Sequence, residues 1–209
     1  MSVVLSPQEI RVLGALIEKD MVTPEYYPLS LNALVNACNQ KSNRDPMTAY
    51  SDEEVQETIE ALRARHLISM TTGGSNRVPK YGHRASETLD LNNRELAVVC
   101  VLLLRGAQTL NEIRTRTESL HRFDDLDSVQ SVLDRLAERG FAVLLARQTG
   151  MREPRWTHLF AGEPAVPSAR EPKPASEPSD SLATRVARLE TELAELRAEL
   201  LAFRNQFEG

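Results

Sequence analysis

The chain has 209 residues, 25 Lys and Arg against 30 Asp and Glu, a formal net charge of −5, and 41% hydrophobic residues. That balance excludes both a uniformly basic nucleic-acid binder and a wholly disordered chain. Two cysteines exclude a disulfide framework, no segment reads as a secretory leader, and the longest apolar run, Leu96 to Leu104, is far shorter than the ~20 residues a bilayer crossing needs. The expectation is a cytoplasmic protein with no membrane partner.

The first helix opens at Ser6-Pro7-Gln8-Glu9, a capping box with proline at the first helical position, and carries the apolar stripe Ile10, Leu13, Gly14, Ile17. A second helix follows Pro28, with Leu31, Leu34, Val35 and Cys38 on one face. A third starts at another capping box, Ser51-Asp52-Glu53-Glu54, with Val55, Ile59 and Leu62 inward. Two strand-like runs, Leu67 to Met70 and Val78 to His83, flank Gly73-Gly74. The order then recurs. Helices are predicted from about Asn92 to Arg105, Thr109 to Glu118 and Asp125 to Arg139, and hairpin arms over Phe141 to Arg147 and Arg155 to Phe160. A weak internal repeat accompanies it: Leu5-Ser-Pro-Gln-Glu-Ile against Leu91-Asn-Asn-Arg-Glu-Leu, and Val55-Gln-Glu against Val129-Gln-Ser. Three helices and a β-hairpin is the winged helix-turn-helix plan. The predicted class is therefore mainly α with small β-hairpins (α+β), two tandem winged helix-turn-helix domains over residues 1–84 and 85–162. The apolar run Leu96 to Leu104 exceeds what one such core covers, so this helix is expected to pack also on the first copy or a second subunit.

Residues 163–180 hold five prolines in eighteen positions and one large apolar residue, Val166, and read as a flexible linker. Over residues 181–209 the pattern becomes Leu182, Val186, Leu189, Leu193, Leu196, Leu200, Phe203, Phe207, alternating four and three apart. That is a coiled-coil seam. A parallel pairing would set Arg185 against Glu190, Glu192 against Arg197 and Glu199 against Arg204, all attractive, so these eight apolar residues are the predicted homodimer contact. Packing of this helix back on its own chain is the alternative.

The stretch TPEYYPLSLNALVNACNQKSNRDP (Thr23 to Pro46) resembles the signature of the YceH-like family of bacterial proteins. NRVPKYGHR (Asn76 to Arg84), LLLRGAQT (Leu102 to Thr109), the HLF ending at Phe160 and the heptad helix carry the same resemblance. It implies tandem winged helices over nearly the whole chain. It implies no catalytic residue.

Charge is separated within each repeat. With Val55, Ile59 and Leu62 inward, the outer face of the third helix carries Glu53, Glu57, Glu60 and Ala64. Its counterpart carries Asp127, Ser131, Asp134 and Glu138. Residues 51–66 and 124–139 each hold five acids and two arginines, net −3. The hairpins are the reverse. Arg77, Lys80 and Arg84 face no acid in residues 67–84, and Arg147, Arg152 and Arg155 face only Glu153 in residues 141–160. These six cations are the candidate nucleic-acid contacts, toward phosphates or a minor groove. The polar run Asn36, Asn39, Gln40, Lys41, Asn43, Arg44 is either a self-capped helix end or a partner-binding surface. Cys38 and Cys100 lie on apolar stripes and are expected to be buried thiols, while His66, His83, His121 and His158 show no zinc spacing. No metal or other cofactor is expected, and no catalytic constellation appears. The leading expectation is a non-enzymatic regulator that contacts double-stranded DNA through basic wings and dimerises through its last helix. The alternative is a winged-helix scaffold for another protein, without DNA.

Overall fold

The computed structural model describes residues 4–73, 76–145 and 153–164, and its mixed α+β architecture is built on locally encoded helix starts. Helix α1 (Pro7–Val22) begins where Ser6 Oγ accepts from the Glu9 amide at 3.2 Å and the Glu9 carboxylate accepts from the Ser6 amide at 2.7 Å. A single 3-10 turn (Pro24–Tyr26) leads to strand β1 (Leu29–Ser30), and Ser30 caps α2 (Leu31–Cys38). The Ser51–Glu54 capping box starts α3 (Asp52–Ala64), which is followed by β2 (Ile68–Gly73) and β3 (Asn76–His83). The sheet order is β1-β3-β2, with Leu29 opposite Tyr81 and Ile68 opposite His83.

A short helix, α4 (Ala85–Thr88), links to α5 (Asn93–Arg105), α6 (Leu110–Arg116), α7 (Leu126–Glu138), β4 (Ala142–Leu145) and β5 (Arg155–His158). Capping boxes at Asn92–Glu95 and Thr109–Glu112 start α5 and α6, and Asp125 caps α7. Strand β4 pairs antiparallel with β5, and Gln108, just ahead of α6, bridges to Trp156 of β5. Gln108 therefore stands before α6 as β1 stands before α2. Neither β1 nor α4 shows in the sequence pattern: elements of two and four residues carry no periodicity, and pairing with β3 is what makes Leu29–Ser30 a strand.

The described residues belong to one compact unit, Met1–Pro164, and a single apolar cluster runs through both repeats. Every residue from Glu95 to Leu104 of α5 is buried, as the all-round apolar run demands, against α1 on one side and α7 and β5 on the other. The backbone of the loop after α2 joins the same centre, where the Asp45 amide donates to Leu104 O at 2.9 Å, and the residue ahead of α1 joins it too, the Leu5 amide donating to Phe160 O at 2.6 Å. No helix among the described residues is long and apolar enough to cross a membrane. The linker and the heptad seam, including Leu182, Val186, Leu189, Leu193, Leu196, Leu200, Phe203 and Phe207, lie outside the described residues.

Candidate interaction surfaces

The polar run after α2 is mostly engaged within the fold. Asn39 clamps the backbone of Tyr50, donating to its carbonyl and accepting from its amide, both at 2.8 Å. Arg44 is 6% exposed. Its guanidinium donates to both Glu18 carboxylate oxygens (3.0 and 2.6 Å), to Ala37 O, and to Gln40 Oε1. Asn43 takes a left-handed backbone conformation, φ 60°, and its side-chain oxygen accepts from Arg105. Asn36 is exposed and donates to Asn32, and Lys41 is exposed. Asn39, Gln40, Asn43 and Arg44 thus brace one loop, and Asn36 and Lys41 remain at its surface. Arg11 of α1 completes the brace, donating to Pro46 O at 2.6 Å and to Cys38 O at 3.4 Å. Sequence reasoning missed Arg11 and Glu18. Their signal was two opposite charges seven apart on one face of α1, within the stretch that also carries its apolar stripe.

The basic hairpin positions do not form one cluster among the described side chains. Arg84, at the base of the first hairpin, pairs with Glu87 at 2.8 Å. Arg155, at the start of β5, pairs with Glu112 at 2.9 Å and donates to Ala107 O at 2.8 Å. Lys80 is half-buried on β3, opposite Thr71 on one side and Ser30 on the other. The side chain of Arg77, and all of Arg147 and Arg152, lie outside the described residues. The outer faces of the third helices stand as the periodicity implies: Glu53, Glu57 and Glu60 on α3, and Asp127, Ser131, Asp134 and Glu138 on α7, are exposed.

Both thiols are buried, and burial pushes that of Cys38 up to about 12 and that of Cys100 up as well. A protonated buried thiol is a poor nucleophile. Among the described residues no group of three His, Cys, Asp or Glu could hold a metal ion. The histidines serve separate places. His83 Nε2 lies 3.1 Å from Asp20 Oδ2, its Nδ1 accepts from the Ala85 amide, and Tyr27 Oη accepts from its own amide. His121 stacks edge-on against Phe123. His66 takes φ 60° in the turn after α3.

His158 carries a pH prediction. Burial lowers its pKa to about 4, and its Nδ1 has no partner among the described residues. In the unfolded chain it titrates near the usual ~6.5. Above that pH neither state binds the proton. Between about 6.5 and 4 the unfolded state takes it up and the folded state does not, so stability falls with pH by at most about 3 kcal/mol. Burial also lowers the His83 pKa, which adds in the same direction. Urea unfolding of wild type and His158→Gln at pH 7 and pH 4.5 checks this: the variant should lose less stability between the two, and an equal loss would show that His158 contributes nothing.

The family model for a protein of unknown function, DUF480, matches residues 5–151. A UPF0502 protein of Solibacter usitatus is 52% identical over 205 residues, covering 98% of each chain. One of Aeromonas hydrophila is 46% identical over 205 residues, 96% of this chain and 94% of its own. One of Geobacter sulfurreducens is 46% identical over 221 positions, spanning both chains in full. The family match reaches from the first capped helix past β4 to residue 151, the relatives match nearly the whole chain, and both agree with the YceH-like resemblance of the Thr23–Pro46 segment and show that the chain belongs to the DUF480/UPF0502 family of bacterial proteins.

Proposed function

We propose that the chain is a non-catalytic, tandem winged-helix protein that docks other proteins, with domains over residues 1–84 and 85–162, a linker over 163–180 and a dimerising helix over 181–209. The winged-helix part is supported by the element order, repeated twice. In each copy a short strand or bridge precedes the second helix and pairs with the hairpin's second arm. The docking part rests on one observation. The helix that would enter a DNA groove presents exposed acids in both copies, Glu53, Glu57 and Glu60 on α3 and Asp127, Asp134 and Glu138 on α7. Phosphates are repelled by such a face and basic protein surfaces are attracted. Asn36 and Lys41 are exposed as well.

Capture from nuclease-treated bacterial lysate tests the reading. Wild type should retain a partner that the Glu53→Lys/Glu57→Lys/Glu60→Lys variant loses; equal capture by both would reject the acidic face as the docking surface. Sedimentation tests the tail separately: the full chain should be a dimer and a chain ending at Gly162 a monomer.

A second reading is double-stranded DNA contacted by the wings. It is favoured by residues 67–84, which hold Arg77, Lys80 and Arg84 and no acid. Because Arg84 and Arg155 are paired with Glu87 and Glu112, that reading depends on Arg77, Lys80, Arg147 and Arg152.

A further inference from the structure

Strand β2 is the outer strand of its sheet, with β3 as its one strand neighbour among the described residues. Outer strands are ordinarily guarded by lysine, other charges or proline, because their unpaired N–H and C=O groups are a template for another strand. The β2 sequence Ile68-Ser-Met-Thr-Thr-Gly73 contains neither a charge nor a proline. An open trough of about 480 Å³ lies beside it, lined by Glu60, Arg63 and Ala64 of α3 and by Ile68, Ser69 and Met70 of β2. Successive strand side chains point to opposite faces. The trough touches three consecutive residues of β2, which is the outer strand of the sheet.

The trough is chemically mixed. Met70 is 38% exposed, and Ile68, two residues before it on the same face of the strand, is buried. Arg63 is engaged by Glu60 at 2.8 Å. Along the same face of α3, Glu57 and Glu53 stand exposed one and two turns further on. Free backbone groups, an apolar foothold and surplus negative charge are thus brought together along one line.

We propose that this trough receives an extended segment of a partner protein that carries lysine or arginine at alternate positions and adds to β2 as a further strand. Main-chain hydrogen bonds to the free edge would supply affinity, and alternate side chains would supply selectivity. The cations, on the face of the added strand toward α3, reach Glu57 and Glu60, and the apolar side chains between them lie on its opposite face. The proposal depends on the protein-docking reading above and gives it a position and a partner chemistry.

The test is a titration of the isotope-labelled full chain with an acetylated octapeptide alternating valine and lysine, followed through backbone amide shifts and hydrogen exchange. Two control peptides accompany it: one alternating valine and glutamate, and one with N-methylated backbone along one edge. The expected result is saturable shifts and slowed exchange at residues 68–71, with both controls at least about tenfold weaker, a difference of ~1.4 kcal/mol. Equal binding of the N-methylated peptide, or shifts confined to the acids of α3 and α7, would overturn the edge proposal and leave acidic-face docking standing. Absence of binding by any peptide would also overturn it, with lysate capture still deciding the broader reading. Protection of β2 amides without peptide, rising with protein concentration, would assign the edge to a second copy of the chain and overturn it too.

Discussion

Arg44→Met is expected to lower the stability of the folded unit by about 3–5 kcal/mol, the usual cost of breaking a buried pair from one side. The Arg44 side chain is fully buried and the Glu18 side chain is 12% exposed, with 2.6 Å between them. Removing the guanidinium leaves the Glu18 carboxylate inside the fold with only Lys19 Nζ at 3.8 Å, and it strips Ala37 O and Gln40 Oε1 of their donor. The Glu18→Met/Arg44→Met double variant should recover most of the loss, because an apolar pair of similar volume leaves no charge unpaired. Urea denaturation of the four proteins in the cycle measures this. A double variant no more stable than Arg44→Met would show that Arg44 acts through the loop carbonyls and not through Glu18.

Gly14→Val should cost about 3 kcal/mol or more and should loosen the two repeats from one another. A Cβ at Gly14 would lie 2.9 Å from Leu104 Cδ2, 3.0 Å from Leu104 Cγ and 3.2 Å from Leu103 Cβ. The end of Leu104 can rotate away, but Leu103 Cβ is fixed to the backbone of α5. The same closeness brings the Cys100 thiol to 3.5 Å from Gly14 O. Gly14→Ala trades overpacking of about 1–3 kcal/mol against about 1 kcal/mol of helix propensity, so its net loss should be small. A valine adds two more carbons at the crossing and gains less propensity. Thermal unfolding followed by circular dichroism should show one transition for wild type, as a shared core implies, and a lower transition for Gly14→Val. A wild-type profile with two separate transitions would contradict the shared core.

Much of this architecture was legible because it is local. Capping boxes at Ser6 and Ser51 announce helices within four residues, and stripes such as Val55, Ile59, Leu62 name the inward face. The same periodicity gave the exposed acids of α3 and α7 without coordinates. What stayed hidden depends on partners distant in sequence. Glu18 and Arg44 are 26 residues apart, and Asn43 meets Arg105 across 62. The polar run from Asn36 to Arg44 could be read from sequence as a surface or as a self-satisfied loop, and only the position of α1 brings Glu18 and Arg11 to it. The β2 trough was likewise hidden, since strand order within a sheet does not show in a hairpin's own pattern.

The proposed docking turns the acids of the third helices, and not a DNA-reading surface, toward a partner. Fluorescence anisotropy of a labelled DNA duplex titrated with the full chain at low ionic strength tests this most directly. No saturable rise is expected. Saturable binding whose logarithm falls with the logarithm of salt concentration, and which Arg77→Glu/Arg152→Glu weakens, would contradict it and assign the function to the wings.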